Sequence, residues 1–181
     1  KQPFDESKAD DILEHVNINS VDNDGKSFLH HICYENNIEP LSWLVKKGID
    51  KELVDYHDNS ALNITITYDF FEIFTKLLKL GYDVDKKNRN GRILLQDSLL
   101  LSDSKYYRSI KNFSKNLNNI DFDGKNILFD VLESQNFNLI KEVLLEDIDK
   151  TLLNKNGKPA LFHKNVLLNL DLLKLFISND V

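Results

Sequence analysis

The sequence predicts an all-α repeat solenoid of about five units, because glycine, leucine and short polar residues recur with one period. Gly48 and Gly81 are 33 residues apart, and Gly91, Gly124 and Gly157 follow one another at the same interval. Leucine recurs at that interval, and a short polar residue stands seven positions before each leucine. The leucines are Leu29, Leu62, Leu95, Leu128 and Leu161, and the polar residues are Asp22, Asp55, Asn88, Asp121 and Asn154. These coincident registers indicate a real repeat.

One unit reads in order as a turn, a helix, a second helix and a turn. Residues 22–26 (Asp-Asn-Asp-Gly-Lys) favour a turn, since Asx side chains bond nearby backbone and glycine adopts positive φ. Ser27 suits the N-cap of a short first helix whose buried face includes Cys33. Pro40 suits the first turn of the second helix, and Gly48 suits its C-terminal end.

The residues that open the first helix of each unit resemble those of the ankyrin repeat family. That family has a unit of this length and opens the helix with Thr-Pro-Leu-His. The corresponding tetrapeptides are Ser27-Phe28-Leu29-His30, Ser60-Ala61-Leu62-Asn63, Ile93-Leu94-Leu95-Gln96, Asn126-Ile127-Leu128-Phe129 and Pro159-Ala160-Leu161-Phe162, so only leucine is kept throughout. Gly48-Ile49-Asp50 and Gly81-Tyr82-Asp83 are similar to the family's Gly-Ala-Asp, whereas residues 147–149 lack the glycine. The resemblance covers roughly residues 16–181.

The resemblance implies a single ankyrin-repeat domain over residues 1–181, built from helix-turn-helix units with finger-like hairpin turns. Residues 1–15 are expected to be the tail of a partial N-terminal repeat, and either end could continue into more repeats or another domain. The units are expected at about 22–54, 55–87, 88–120, 121–153 and 154–181. In the third unit, Lys111 stands where the others have an apolar residue. Either the second helix there is shortened or tilted outward, or the irregularity is functional or a flexible joint.

The composition argues against several classes of protein. With 23 basic and 29 acidic residues among 181, the net charge of −6 argues against wholesale binding to nucleic acid or anionic lipid. Because Cys33 is the single cysteine, no internal disulfide or multi-cysteine zinc site is possible. No apolar run approaches the roughly 18 residues of a membrane span.

No catalytic constellation is visible in the sequence. HExxH, GxSxG and phosphate-binding glycine motifs do not occur, so we expect no enzymatic activity, no cofactor and no metal. His30 occupies the family's tetrapeptide histidine, whose implied role is to cap and connect neighbouring turns. Cys33 is expected to be an inert buried residue rather than a nucleophile.

The resemblance implies that a partner protein binds the concave surface formed by finger tips and first helices. The register places the candidate partner-binding residues at Tyr34, Tyr56, His57, Tyr68, Arg89, Arg92, Leu101, Phe122 and Lys125. The aromatic residues could supply rigid apolar contacts, and Arg89 and Arg92 could bind an acidic or phosphorylated segment. The alternative is that the cations of the tips are simply solvated turn charges.

The leading functional hypothesis is a monomeric protein-interaction module. The abundance of Lys, Asn and Ile indicates an AT-rich genome, and together with the ankyrin resemblance this composition implies a microbial effector acting on host proteins in the host cytosol. The alternatives are a cytoplasmic adaptor of the producing organism, or the targeting arm of a larger enzyme whose catalytic domain lies outside this segment. Nucleic-acid contact through the basic tips is a weaker hypothesis because of the acidic net charge.

Overall fold

A computed structural model describes residues 3–101 and 103–179. The described residues are helices joined by turns, with isolated β-bridges where two segments of a turn meet, as between Val21 and Ser27. They divide into two compact units, one ending at Asp83 and the other beginning at Val84. The predicted all-α repeat architecture is confirmed.

The first unit contains a leading helix and two successive helix pairs. These helices are α1 (Glu6–Leu13), α2 (Phe28–Tyr34), α3 (Leu41–Lys46), α4 (Ala61–Thr67) and α5 (Phe71–Leu78). Helix α2 packs against α3 and α4, and α4 packs against α5. The anchor residues Leu29 and Leu62 are each 2% exposed, and Phe74 of α5 is fully buried. The 33-residue leucine register therefore marks the buried face of each first helix.

The second unit repeats the arrangement with less regular helices. It contains α6 (Leu94–Ser98), α7 (Lys105–Ile110), α8 (Ile127–Glu133), α9 (Phe137–Leu144), a 3-10 turn (Ala160–Phe162), α10 (Lys164–Leu167) and α11 (Leu170–Ile177). The pairs α6–α7, α8–α9 and α10–α11 pack internally, and α8 also contacts α6 and α10. Leu95 and Leu128 are 0% and 1% exposed, so the same register forms the core of this unit.

Backbone conformation at the turns follows the sequence prediction. Gly25 has a φ of 79° in the first repeat. Asp58 replaces this glycine in the second repeat and has a φ of 69°. Aspartate tolerates this left-handed region better than most residues. At the helix ends, Asn36 has a φ of 47° after α2, and Gly48 has a φ of 83° and ends α3 where the sequence predicted.

The structural roles predicted for His30 and Cys33 are confirmed. Nδ1 of His30 accepts a hydrogen bond from the N–H of Ser27 at 3.1 Å, and Nε2 lies 3.0 Å from the carbonyl oxygen of Asn59 in the next turn. Cys33 is fully buried. Burial raises the pKa of its thiol to about 12, so the nucleophilic thiolate is not formed near neutral pH.

The third repeat accommodates its charged second helix by ion pairing. Helix α7 has six residues, two fewer than α5, α9 or α11 but as many as α3, so its length does not set the third repeat apart. The ammonium group of Lys111, which follows α7, lies 3.2 Å from a carboxylate oxygen of Glu142 and 2.5 Å from one of Glu146. The hydrogen bond to Glu146 raises the pKa of Lys111 above its usual value. A charge that is unusual at this register is thus neutralised by the following repeat.

Candidate interaction surface

Each finger turn is held by the polar residue that begins it. In the first finger, Oδ1 of Asp22 accepts hydrogen bonds from the N–H groups of Asp24 and Lys26, both at 2.9 Å. The pair of bonds, to the second and fourth following residues, recurs in the fingers that begin at Asp55, Asn88, Asp121 and Asn154. The short polar side chain seven residues before each leucine therefore has a structural role, and the tip side chains are left for other contacts.

Neighbouring fingers are joined by backbone hydrogen bonds. In the first unit, the N–H of Tyr56 donates to the carbonyl of Asp24 at 3.0 Å. In the second unit, the N–H of Phe122 donates to the carbonyl oxygen of Asn90 at 3.0 Å, and the N–H of Lys155 donates to the carbonyl oxygen of Asp123 at 2.9 Å. These bonds fix the spacing between successive tips within each unit.

We call four side chains of the first unit the tyrosine surface: Tyr34, which contacts both Tyr68 and Lys26, and Tyr56, which lies over Gly25, the residue before Lys26. The Tyr34 and Tyr68 rings meet edge to face with centroids 5.6 Å apart, and Nζ of Lys26 lies 5.0 Å from the Tyr34 centroid. Tyr56 is 64% exposed and lies over Gly25, where a Cβ atom would be 2.6 Å from the Tyr56 ring. Tyr68 is 52% exposed and also stacks on Phe70 at 5.9 Å.

The tyrosine surface is partly ordered by charge. Nζ of Lys26 lies 3.0 Å from a carboxylate oxygen of Asp24, and this hydrogen bond raises the pKa of Lys26. Burial raises the pKa of the half-buried Tyr34, so its hydroxyl stays protonated and can donate. The surface therefore offers ring faces, hydroxyl groups and one cation at fixed positions.

The second unit presents a different set of tip residues. Phe122 is 76% exposed and lies over Gly91, where a Cβ atom would be 2.8 Å from the Phe122 ring. Arg89 is exposed, whereas Lys125 is half-buried on the finger that also carries Phe122. Phe122 and Arg89 are thus accessible tip side chains, as the register predicted.

Arg92 is not an accessible tip residue, and that part of the sequence analysis was wrong. Its side chain is 14% exposed and contacts three aspartates. Nε donates to Asp97 at 2.7 Å, and Nη1 donates to Asp130 at 2.8 Å and to Asp121 at 3.2 Å. A guanidinium held by three carboxylates in the protein cannot also bind an acidic segment of a partner.

The Arg92 cluster extends into a buried hydrogen-bond network. Nε2 of Gln96 donates to Asp130 at 3.0 Å, and Asn119 donates to Oε1 of Gln96 at 2.6 Å. Burial raises the pKa of Asp130, even though the adjacent guanidinium of Arg92 opposes the shift. Although burial lowers the pKa of Arg92, the charge of Asp130 and the bond to Asp97 raise it overall, so the guanidinium stays charged.

The remaining candidates have less distinct surroundings. His57 is exposed at the second finger tip, and its backbone N–H is bonded to Asp55. Leu101 is half-buried after α6. Of all the candidates, the structure brings Tyr34 and Tyr68 into ring contact, and it places Phe122 and Lys125 on one finger.

The sequence analysis did not predict a groove next to Lys125. This groove, of about 320 Å³, is lined by Lys125, Lys158 and Lys164, by Phe129, Pro159 and Phe162, and by the polar side chains of Glu133, Asn154, Asn156 and His163. A signal was present in the sequence, because phenylalanine replaces the family's histidine in both Asn126-Ile127-Leu128-Phe129 and Pro159-Ala160-Leu161-Phe162.

The part of the chain that the structure describes was also searched for metal sites and membrane spans. In residues 3–101 and 103–179, no three His, Cys, Asp or Glu side chains are placed to hold a metal ion. None of the helices in those residues is long and apolar enough to cross a bilayer.

Comparison with known proteins identifies the repeat. The sequence model of ankyrin repeats in three copies matches residues 5–88. The chain thus carries ankyrin repeats over residues 5–88, as its first-helix tetrapeptides indicated, and its fold is the ankyrin repeat fold.

Two relatives are much longer than this chain. An ankyrin repeat protein of Rickettsia bellii is 35% identical over 81 residues, which are 41% of this chain and 11% of the relative. Alpha-latrotoxin-Lg1a of Latrodectus geometricus is 25% identical over 146 residues, which are 80% of this chain and 11% of the toxin. The chain thus spans about a tenth of the length of the relatives it matches.

Solved structures share the fold over nearly the whole chain. An ankyrin repeat domain from Acinetobacter baumannii superposes with a TM-score of 0.80 at 19% identity, covering 97% of this chain and 92% of that one. A chain from the complex of a predatory endopeptidase of Bdellovibrio bacteriovorus with an immunity protein has a TM-score of 0.77 at 22% identity, covering 95% and 91%. At such identities the likeness establishes the fold alone.

Proposed function

We propose that this chain is a non-catalytic module that binds a partner protein through its finger tips and first helices. Ankyrin repeats are in general protein–protein interaction modules. The observation that carries the proposal is the tyrosine surface, where Tyr34, Tyr56 and Tyr68 expose aromatic area on a rigid pair of fingers and first helices. Aromatic side chains of this kind lose little conformational entropy on binding and are frequent interface hot spots.

Preorganisation supports this proposal beyond the exposure of the rings. Tyr34 and Tyr68 already contact each other, and the backbone of Tyr56 is bonded to the preceding finger at 3.0 Å. Binding to such a surface immobilises few additional rotors, so most of the contact energy appears as affinity. Three tyrosines at a water-exposed surface contribute little to the core of the first unit, so a binding role accounts for them better than stability does.

A photocrosslinking experiment tests the tyrosine surface directly. Tyr68→benzoylphenylalanine places a reactive ketone on this surface, and Phe113→benzoylphenylalanine is the matched control because Phe113 is 46% exposed in the loop after α7. After exposure to lysate of candidate source or host cells and irradiation, we expect a discrete adduct only from position 68. Adding Tyr34→Ser should reduce its yield severalfold, while equal labelling from both positions would count against the proposal.

Arg89 supports a charge contribution at the tip of the third finger. Its side chain is exposed, and a guanidinium can bind a carboxylate or phosphate through two hydrogen bonds. Arg89→Glu should therefore weaken partner binding and leave the melting temperature nearly unchanged, with Lys87→Glu as a control of equal charge change. Unaltered affinity in a titration would remove Arg89 from the site.

The wider biological role is a further part of this proposal. The similarity to a toxin, alpha-latrotoxin-Lg1a, supports an effector that acts on another organism. Such a role places the chain in the host cytosol, and an adaptor role places it in the producing cell. Proximity labelling in both settings separates these roles, since the labelled partner should be a host protein only in the first.

A further inference from the structure

The fourth and fifth repeats replace a structural hydrogen bond with an aromatic ring. In the first repeat, His30 bonds to the carbonyl of Asn59 in the next turn, and in the third repeat Nε2 of Gln96 donates to the carbonyl of Lys125 at 3.3 Å. The residues at the same register are Phe129 and Phe162. A phenyl ring cannot form that bond, so these two positions present apolar surface where earlier repeats have a polar connection.

The two phenylalanines contribute to the groove of about 320 Å³ in the second unit. Phe129 is 4% exposed, whereas Phe162 is 57% exposed, and Pro159 continues the apolar wall. An aromatic side chain that remains more than half exposed gains little from folding, so the stability of the fold does not account for Phe162.

The lysines of the groove form no ion pair within the part of the chain that the structure describes. Lys125, Lys158 and Lys164 line the groove, and within the described residues no carboxylate comes within 4 Å of their ammonium groups. Elsewhere in the same unit, Lys111 and Lys155 are paired with Glu146 and Asp123. Three lysines without an ion pair around one groove are therefore a local property, in a chain of net charge −6.

One acidic side chain, Glu133, also lines this groove and offsets part of its positive charge. A carboxylate oxygen of Glu133 lies 3.0 Å from Nε2 of His163, and this hydrogen bond lowers the pKa of Glu133, a shift to which the charges of Lys164 and Lys125 also contribute. Three lysines against one carboxylate leave the groove with a positive excess, beside the apolar side chains of Pro159 and Phe162.

We infer that this groove binds an acidic segment of a partner protein that carries a large apolar side chain between its carboxylates. The inference rests on the proposed function and assigns a class of ligand to a second surface of the module. The apolar side chain would pack on Phe129, Pro159 and Phe162, and flanking carboxylates would pair with the lysines. Charge complementarity selects an acidic peptide, and the acidic net charge of the chain disfavours a nucleic acid.

The test is a titration of the ¹⁵N-labelled chain with a short synthetic peptide in which one Phe is flanked on both sides by Asp. We expect amide shifts centred on residues 125–133 and 156–164, with saturation and an affinity that weakens as salt is added. The same peptide with Ser in place of Phe should bind several-fold more weakly, and a version with Lys in place of Asp should not bind. Shifts elsewhere, or none, would overturn the inference.

Matched variants separate the groove from general charge attraction. Lys158→Glu with Lys164→Glu should weaken peptide binding about tenfold or more, since two attractive contacts become repulsive. Lys115→Glu with Lys174→Glu changes the net charge equally at exposed sites outside the groove and should alter the affinity less than twofold. Equal loss in both double variants would contradict a defined site.

Two further experiments distinguish an acidic protein segment with an apolar side chain from other ligands of the groove. Phe162→Ala, at an exposed position where folding should survive, should weaken the peptide severalfold while circular dichroism stays unchanged. A duplex DNA of similar charge that displaced the peptide from the groove would overturn the choice of an acidic protein segment. If the peptide fails to bind while position 68 still crosslinks a partner, this inference fails alone; peptide binding without crosslinking would leave it standing and reject the tyrosine surface.

Discussion

The first and third repeats connect each helix to the next turn in different ways. In the first repeat, a single neutral side chain does this, because His30 bonds to Ser27 behind it and to Asn59 ahead of it. In the third repeat, Gln96 makes the forward bond and Arg92 adds ion pairs to three aspartates. The connection between a first helix and the next turn is therefore made by an imidazole in one repeat and by a network with charged side chains in the other.

The difference shows that a repeat can come to depend more strongly on charged side chains of the following repeat when its sequence diverges. Replacing the imidazole of His30 leaves few buried polar groups without a hydrogen-bond partner. The Arg92 cluster has one guanidinium for three carboxylates, of which Asp121 and Asp130 have side chains 6% and 4% exposed. Buried charges of this kind are stable only as a set, since removing one partner leaves another desolvated and unpaired.

The largest effect is expected at Arg92. Arg92→Ala leaves two buried carboxylates without their cation, so the free energy of unfolding should fall by about 3 to 5 kcal/mol. Urea denaturation followed by circular dichroism measures the loss. Arg89→Ala removes an exposed guanidinium three residues earlier and should change stability by only about 0.5 kcal/mol. Similar values for the two variants would mean that the cluster is not a structural element.

The next largest loss of stability is expected from substitution of one of two turn glycines in the second unit. Gly124 has a φ of 73°, and a Cβ atom there would lie 2.8 Å from the backbone nitrogen of Lys155. Gly157 has a φ of 66° with nothing within 4 Å. Gly157→Ala should cost about 1 kcal/mol from backbone strain alone, and Gly124→Ala should cost at least about 1 kcal/mol more, because backbone must move. Thermal unfolding of the two variants in parallel gives the comparison, and equal costs would refute the close approach of the fingers.

A smaller effect is expected for the neutral connection in the first repeat. His30→Leu removes the bonds to Ser27 and Asn59 while keeping an apolar side chain of similar size, so stability should fall by about 1 to 3 kcal/mol. His30→Gln should recover part of this loss, because Gln96 makes the corresponding forward bond in the third repeat. Chemical denaturation of the two variants checks the order, and a glutamine variant no better than leucine would contradict the equivalence of the two residues.

The smallest effect is a pH dependence that belongs to the first repeat. Burial lowers the pKa of His30, although the bonded carbonyl of Asn59 and the charge of Asp55 oppose the shift. As pH falls below about 6.5, the unfolded chain takes up this proton before the folded chain does, so stability decreases toward acid. The His30→Gln variant should lack this component. A difference between wild-type and variant stability that stays constant from pH 7.5 to about 5 would show that His30 is not the group responsible.

How far the sequence predicts the molecule depends on the range of the interactions involved. The turns follow from local chemistry, so Asp58 could be assigned to the glycine position from register alone and indeed has a positive φ. Cys33 was assigned correctly because its burial is set by helix periodicity, whereas the role of His30, whose partner Asn59 is 29 residues away, was implied by the family resemblance. Arg92 was misassigned, because its partners Asp121 and Asp130 are 29 and 38 residues away and come close only when repeats pack.

The sequence by itself determined the repeat length, the turn residues, the buried leucines and the resemblance to ankyrin repeats, since each depends on a pattern within one repeat of 33 residues. The tertiary structure alone decided which polar residues are accessible. It enclosed Arg92 among carboxylates, left Arg89 exposed, and arranged Phe129 and Phe162 beside unpaired lysines. The physical reason is that exposure and charge compensation depend on residues a whole repeat apart, and only packing brings those residues together.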